Sequence, residues 1–582
     1  MSAQLAPSPV FQGLGFGGLP LPGGKLFTYV AGTTTPQATY TDNAQLTQNT
    51  NPVILNANGQ ANVWLNPVQA YKFVLQDLFG NLVWSVDQIN APALTQAVIG
   101  TILYPQTAAE AAAGVVPTFY FYPELNPLRY GADPTGVADS AAASQAALNV
   151  ALQKNGAITY PVGQYKHLSG VIGTLASAVA SLSLFGSGAE ATQLIWPSGG
   201  GYKINYVGPF NSTHVRDLSF LTGTTGTGTQ RGLWLNQTAA AIANPALTAL
   251  SDVTNCVFRG SDGYGQTFYW QSGLYVASVS NINVTNCVCS GANAPALGIG
   301  MSFVGIPAVI GVSYNISGCT FLTLAAGLEY LSNVQGVTVA QSNFTGSLTG
   351  ILVPSPATNC NQLSVTASQF ACPGQGILTQ AYIPNVNISG NTFFVGLTAN
   401  NTGVELGNAG LFAITGNTFS APNALNLTTN RGVSIDSTNA SLPGTITDND
   451  FQSMSIGVNL GATATTITVE GNALISCILP LNNQPNINPT VTNYISGNVG
   501  YNPVGILGPG GVGASPATIT NGASPATFYF AQAGTFTATV SLGGHVIGTM
   551  TSGNVVVWDA GPNEQCVVTW TTTAPTFIQS VH

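Results

Sequence analysis

Apolar and polar positions repeat along this chain from about residue 200 to about residue 500. One element opens on Val or Ile and reaches a buried-type ring five positions later. It reads Val253-Thr-Asn-Cys-Val-Phe258, Ile316-Ser-Gly-Cys-Thr-Phe321, Val339-Ala-Gln-Ser-Asn-Phe344 and Val365-Thr-Ala-Ser-Gln-Phe370. It goes on through Ile388-Ser-Gly-Asn-Thr-Phe393, Ile414-Thr-Gly-Asn-Thr-Phe419 and Ile446-Thr-Asp-Asn-Asp-Phe451, and fades at Ile495-Ser-Gly-Asn498. With the copies that start at Val284 and Val469 included, successive starts lie 23 to 32 residues apart. A second element, Gly-apolar-x-apolar, precedes most copies, as in Gly350-Ile-Leu-Val353, Gly403-Val-Glu-Leu406 and Gly432-Val-Ser-Ile435. Two short strands per step, joined by turns of variable length, predict one coil of a solenoid.

A single coil cannot bury its apolar face, whereas stacked coils bury a continuous column. Parallel strands on adjacent coils sit about 4.8 Å apart, so like side chains pile on like. The Val/Ile starts form one column and the Phe rings another. A third holds Cys256, Cys287 and Cys319, then Ser342 and Ser368, then Asn391, Asn417, Asn449, Asn472 and Asn498. Stacked Asn amides at a bend can bond one another and the turn backbone. A leucine-rich horseshoe would need several Leu at fixed spacing, and a propeller blade would show antiparallel hairpins. The expected fold class is therefore all-β: a single-stranded right-handed parallel β-helix with small N- and C-terminal β domains.

Texture divides the chain into four. Residues 1–95 carry Pro, Gly and short alternating stretches such as Lys25-Leu-Phe-Thr-Tyr-Val30, a β domain. Residues 96–125 include the Ala-rich patch Thr107 to Gly114, a short helix in a neck. The β-helix spans 126–505. Residues 506–582 return to alternation, as in Val555-Val-Val-Trp558, with Gly543-Gly544 as a turn, and form a small antiparallel domain.

Composition narrows the function. Charged residues make up 5% of the 582, against about 25% in an average globular protein, and the net charge is -9. The ten Lys and Arg are scattered, which argues against nucleic acid, since that needs clustered cations. No apolar run approaches a bilayer span, and residues 1–22 lack the pattern of a signal peptide. The eight Cys show no zinc-type spacing with the four His, so no metal and no cofactor are expected. The Cys column reads as core packing in a reducing compartment.

Arg129-Tyr-Gly-Ala-Asp-Pro-Thr-Gly-Val-Ala-Asp139, followed by an apolar helix-like stretch to Leu152, resembles the opening of the pectate-lyase-like β-helices of bacteriophage tail spikes. Ser140 stands where that family usually has a second acid. Gly23-Gly-Lys-Leu-Phe-Thr-Tyr29 and Asp77-Leu-Phe-Gly-Asn-Leu-Val-Trp84 are similar to the head-binding domain of short-tailed-phage tail spikes. This resemblance implies a homotrimer in the virion tail, assembled in the host cytoplasm. Its N-terminal domain would dock on phage tail or portal adaptor proteins. Its β-helix would meet a bacterial surface glycan, capsule or lipopolysaccharide, and residues 506–582 would serve trimerisation or receptor binding.

Glycoside hydrolysis needs two carboxyl groups flanking the bond. In Gly403-Val-Glu-Leu406 the apolar pair points inward, so Glu405 points out. Aligning Gly432 with Gly403 puts Ser434 beside Glu405 and Asp436 two residues further on the same face. The two acids are then about 8 Å apart, within the inverting window of about 6.5–9.5 Å. Glu405 and Asp436 are the candidate catalytic pair, with Arg431 placed to bind an acidic sugar or hold one carboxylate ionised. The plainer reading is a surface ion pair. Glu329 occupies the same strand position three coils earlier, about 14 Å from Glu405, as a second subsite or a solvated face residue. The aromatic loop with Tyr264, Tyr269 and Trp270, ending near Tyr275, suits sugar stacking, with Asp262 as a further acid. Arg231 and Trp234 lie one coil earlier and join that patch. Asp448 and Asp450 look like a calcium pair but have too few oxygens nearby, and turn chemistry fits them better. The leading function is a depolymerase that hydrolyses glycan. The alternatives are a non-catalytic receptor-binding fibre and a polysaccharide lyase, which would need a Lys, Arg or Tyr base.

Overall fold

The computed structural model describes the chain apart from residues 1–3, 6–9, 67–68, 91–95, 239–247, 294–295, 308, 397, 399, 409, 422–428, 438–442, 484–492, 502–506, 512–513, 522–525, 532–537, 552–554, 562–563, 572–573 and 582. It divides into two compact units, Met1–Gln106 with Phe119–Pro123, and Thr107–Thr118 with Glu124–His582.

In the first unit, strands Lys25–Val30, Val53–Ile54, Ala70–Gln76 and Leu82–Asn90 form one antiparallel sheet. Alternation buries Leu26, Tyr71, Phe73 and Leu75 on one face with Val53, Leu55, Val63 and Leu65. The second unit opens with the short helix Ala108–Ala112, started by a reciprocal capping box between Thr107 and Glu110. The Glu110 carboxylate also receives Arg129, fully buried, through Nε at 2.5 Å and Nη2 at 2.9 Å. Arg129, the first residue of the tail-spike-like opening, thus locks the start of the solenoid.

Three parallel sheets of 13, 13 and 12 strands follow, each strand pairing with its equivalents one coil before and after. The first runs from Ala157–Thr159 to Tyr494–Ser496, the second from Thr135–Asp139 to Ala473–Ile475, and the third from Val171–Leu175 to Leu479–Asn483. This is the right-handed parallel β-helix that the repeat implies, with one correction. Each regular coil holds three strands, where the repeat suggests two. The Val/Ile start lies on the first sheet and the Phe on the second, as in Ile388 of Val386–Ser389 and Phe393 of Thr392–Phe394. The bend between them is made by a single residue in the left-handed region. Asn255 (φ 51°), Asn286 (53°), Gly318 (64°), Gly390 (65°), Gly416 (63°), Asp448 (56°) and Gly471 (68°) all hold this position.

The next residue in each coil turns inward and builds the ladder. Asn391, Asn417, Asn449 and Asn472 each donate Nδ2 to Oδ1 of the Asn on the following coil, at 2.9 to 3.0 Å. Each also donates Nδ2 to the carbonyl of Val365, Ile388, Ile414 or Ile446. Ser342 and Ser368 continue the ladder with backbone-to-hydroxyl bonds. Beside it, Phe321, Phe344, Phe370, Phe393, Phe419 and Phe451 stack at 4.5 to 4.7 Å with planes within 9° of parallel. Strand spacing imposes this distance, and the rings stack offset within it. All eight Cys are free, and Cys256, Cys287 and Cys319 are buried in the ladder column.

Ala367 breaks the residue pattern of the bend: it sits in the same left-handed position, φ 48°, with a Cβ. Ala367→Gly is therefore expected to stabilise the protein by about 0.5–1 kcal/mol, the strain of a Cβ there net of the added freedom of Gly when unfolded. Chemical denaturation of the variant beside wild type checks this.

Helix Ala141–Lys154 covers the first coil, burying Ala147, Leu148, Val150 and Ala151. A sheet end left open would expose apolar core, and this helix hides it. Ser140, the family departure, accepts a hydrogen bond from Asp133 N at 2.9 Å, while Asp139 caps the helix start at Ala141 N. At the other end, two four-stranded antiparallel sheets enclose Phe528, Phe530, Val540, Met550, Trp558 and Val568.

Candidate functional site

The outward side chains of the third sheet form one continuous column. Strand register places Lys203, Trp234, Tyr275, Ser302 and Glu329 on successive coils, then Leu352, Leu378, Glu405, Ser434 and Asn459. Alternation along each strand produces it, because the flanking residues Val404 and Leu406 or Val433 and Ile435 are fully buried. Between residues 263 and 447 the sequence holds four charged residues, Glu329, Glu405, Arg431 and Asp436. All four lie in strands of the third sheet.

Glu405 pairs in register with Ser434, and Arg431 pairs with Thr402 on the Glu405 strand. Asp436 is exposed, two residues beyond Ser434. Register against the next strand shifts between Ile435 and Ser437, a bulge at Asp436 of the kind that re-aims a side chain. Asp436 is held from behind by a chain of donors. Ser434 Oγ donates to its Oδ1 at 3.0 Å, Asn459 Nδ2 to Ser434 Oγ at 3.0 Å, and Asn482 Nδ2 to Asn459 Oδ1 at 2.8 Å. Sequence reasoning places Ser434 beside Glu405 but gives no sign of this relay, since Ser and Asn are common throughout the chain.

Burial pushes the Glu405 carboxyl above its ordinary value, and the Asp436 charge raises it further. Arg431 and Gln375 pull the other way and do not prevail. Among the described residues Arg431 makes no ion pair, and its buried Nε has no hydrogen-bond partner. Two acids and a cation thus face one another without a closed salt bridge.

Glu329 is half-buried, accepts a hydrogen bond from Ser302 Oγ at 3.2 Å, and is likewise raised by burial. The folded state therefore retains its proton where the unfolded chain has lost it, so stability falls as pH rises from 4.5 through the raised value. Glu329→Gln is expected to remove that fall, raising Tm relative to wild type at pH 7.5 and not at pH 4, as read by calorimetry.

The aromatic patch expected from the loop before Tyr275 is not one patch. Trp270 is 2% exposed, donates Nε1 to Phe220 O at 2.9 Å and packs edge-on against Trp196. Its ring fills the coil interior, which removes it from any ligand-facing role. Tyr264 is 43% exposed and joins a cluster on the second sheet, where its hydroxyl donates to Glu190 Oε1 at 2.5 Å and Arg259 bonds the same carboxylate. Tyr269 is half-buried against Gly298. Asp262 accepts the backbone N–H groups of Thr267 and Phe268, a loop-shaping role. Tyr275 alone of the four rings stands in the third-sheet column, in T-shaped contact with Trp234 at 5.8 Å. Asp448 serves as a left-handed bend residue.

No family model matches the sequence, and no curated protein matches it. Among solved structures, phage tailspikes with a β-helix are neighbours. A tailspike protein mutant of Escherichia coli bacteriophage HK620, solved with a hexasaccharide, is 13% identical, with TM-score 0.42, covering 78% of this chain and 92% of that one. Full-length tailspike protein 2 of Escherichia coli bacteriophage CAB120 is 11% identical, with TM-score 0.39, covering 95% and 90%. The catalytic unit of an alpha-1,3-glucanase from Streptomyces thermodiastaticus is 12% identical, with TM-score 0.36, covering 84% and 88%. These likenesses are low, and the assignment of the β-helix rests on the hydrogen-bonded ladders of this chain itself.

Proposed function

We propose that the chain is a phage tail spike whose third sheet binds a bacterial surface polysaccharide and hydrolyses it at Glu405 and Asp436. The reading rests on one observation above all. Over the long stretch between residues 263 and 447, every charged residue is spent on this one face. A solvated scaffold needs no such segregation, whereas a glycan-cleaving groove needs carboxyl groups in register.

In this mechanism Glu405, whose hold on its proton burial and Asp436 strengthen, donates that proton to the glycosidic oxygen as the bond to the anomeric carbon breaks. Asp436, exposed and held by Ser434, takes a proton from water as that water attacks the anomeric carbon from the opposite side. One coil and two residues separate the acids, about 8 Å, which leaves room for the water and gives inversion. Arg431 orients a polar substituent of the sugar. Leu352, half-buried between Glu329 and Glu405 in the column, offers an apolar surface to the C–H face of a pyranose ring. The working form is a homotrimer, carried on the virion tail through its N-terminal domain and acting at the host surface.

Incubating the purified protein with surface polysaccharide of its host tests this reading. New reducing ends are expected. Unsaturated uronate absorbance would make it a lyase, and binding without product would make it a receptor-binding fibre.

A further inference from the structure

The third-sheet column begins in a cationic and aromatic cluster that the hydrolytic site does not use. Arg231 lies in strand Arg231–Gln237, its guanidinium carbon 3.2 Å from the ring centroid of Tyr275 and 4.0 Å from that of Trp234. Lys203, one coil earlier, places Nζ 3.8 Å from the centroid of the same Trp234 ring. A cavity of ≈ 280 Å³ opens here, lined by Lys203, Gln230, Arg231, Trp234 and the glycines at 199 to 201. Backbone without a side chain at Gly199 leaves the space clear, since a Cβ there would fall 2.7 Å from Nε2 of the lining residue Gln230.

Two features of the cluster ask for a ligand. Arg231 Nη1 and Trp234 Nε1 are both buried and both without a hydrogen-bond partner. A buried donor left unpaired costs about 1–3 kcal/mol, more when charged, so a protein seldom keeps two side by side without use. Moreover, neither Arg231 nor Lys203 forms an ion pair among the described residues. These are two of only ten cations on a chain of net charge -9. A planar guanidinium fixed between two rings is preorganised for bidentate contact with an oxyanion.

We propose that Lys203, Arg231, Trp234 and Tyr275 form a subsite for an anionic sugar residue, a uronate or a phosphorylated hexose. The polysaccharide would thus carry acidic residues. The subsite rests on the glycan reading of the third sheet and names its substrate class. Six coil steps separate Trp234 from Glu405, about 29 Å, so an extended chain of several sugars reaches from one to the other. The anion is held far from the cleavage point, where the Asp436 carboxylate would repel it. This arrangement divides anchoring from chemistry along one groove.

Saturation-transfer NMR with free glucuronate, galacturonate, glucose 6-phosphate and glucose tests the subsite. Transfer to the acidic sugars and little to glucose is expected, weakening as sodium chloride is raised. The uronate and phosphate arms separate the two sources of charge. Arg231→Gln and, as a second variant, Lys203→Gln should each weaken binding of the acidic sugar by about tenfold. Glu405→Gln should leave it unchanged. Equal transfer to glucose, no transfer to any acid, or unaltered binding in both cation variants would each overturn the proposal. Acidic-sugar binding without any polysaccharide cleavage would keep the subsite and retire the hydrolytic pair. Cleavage of a neutral polysaccharide with no acid binding would do the reverse.

Discussion

Glu405→Gln is expected to lower the rate of glycan cleavage by about 10²–10⁴-fold while leaving glycan affinity within a few-fold of wild type. Gln keeps the size and polarity of the side chain but has no proton to give to the leaving oxygen. The wild-type carboxyl is suited to that task because burial, and then Asp436, raise it above its ordinary value. Activity should therefore fall as pH rises through the raised Glu405 pKa, since the acid form is the working one. Asp436→Asn should remove the base and lower the cleavage rate by a similar factor. Initial rates from reducing-end release, with affinity from calorimetry, measure both parts. A variant that cleaves at the wild-type rate would retire Glu405 as the acid.

Asn417→Ala is expected to destabilise the β-helix by about 3–5 kcal/mol, near the upper end for single substitutions. The Asn417 amide donates to Ile388 O at 2.9 Å and to Asn449 Oδ1 at 2.9 Å. Its Oδ1 accepts from both the backbone N–H and the side chain of Asn391, at 2.9 and 3.0 Å. Ala would leave the Asn391 N–H, one Asn391 Nδ2 hydrogen and Ile388 O without this partner, while Asn449 Oδ1 keeps the Asn417 backbone N–H at 3.0 Å. Water cannot replace the lost partners, as Asn391, Asn417 and Asn449 are all 1–2% exposed. Asn417→Ser should cost less, because Ser342 and Ser368 serve the same ladder position two to three coils away. Asn387→Ala, at an exposed position of the first sheet, is the control and should cost little. Hydrogen exchange adds a spatial check: stability in a solenoid passes between neighbouring coils, so protection should fall most at Asn391 and Asn449.

Much of this architecture is legible in the residues, because like side chains repeat where parallel coils place them. The Phe and Asn columns and the register of Glu329, Glu405 and Ser434 follow from period-two alternation and the alignment of Gly403 with Gly432. The third strand of each coil was hidden for a physical reason. The bend that separates Ile388 from Phe393 occupies one residue, and its identity varies among Asp, Asn, Gly, Gln and Ala. No proline or long turn marks it. Trp270 was illegible because a loop of unknown path cannot say which rings fold under it. Lys203, Arg231, Trp234 and Tyr275 come from coils whose connections vary in length before the repeat settles. Their alignment emerges only when the strands are paired. Ser434 as a support for Asp436 needed a distance, which no spacing supplies.

Crystallising the Glu405→Gln protein with an oligosaccharide cut from its host polysaccharide would weigh the assignment of the third sheet as the working face. Sugar density should run along that sheet, with a ring over Leu352 and a glycosidic oxygen within hydrogen-bond reach of residue 405. Density seated on the first or second sheet, with the third left bare, would contradict the account.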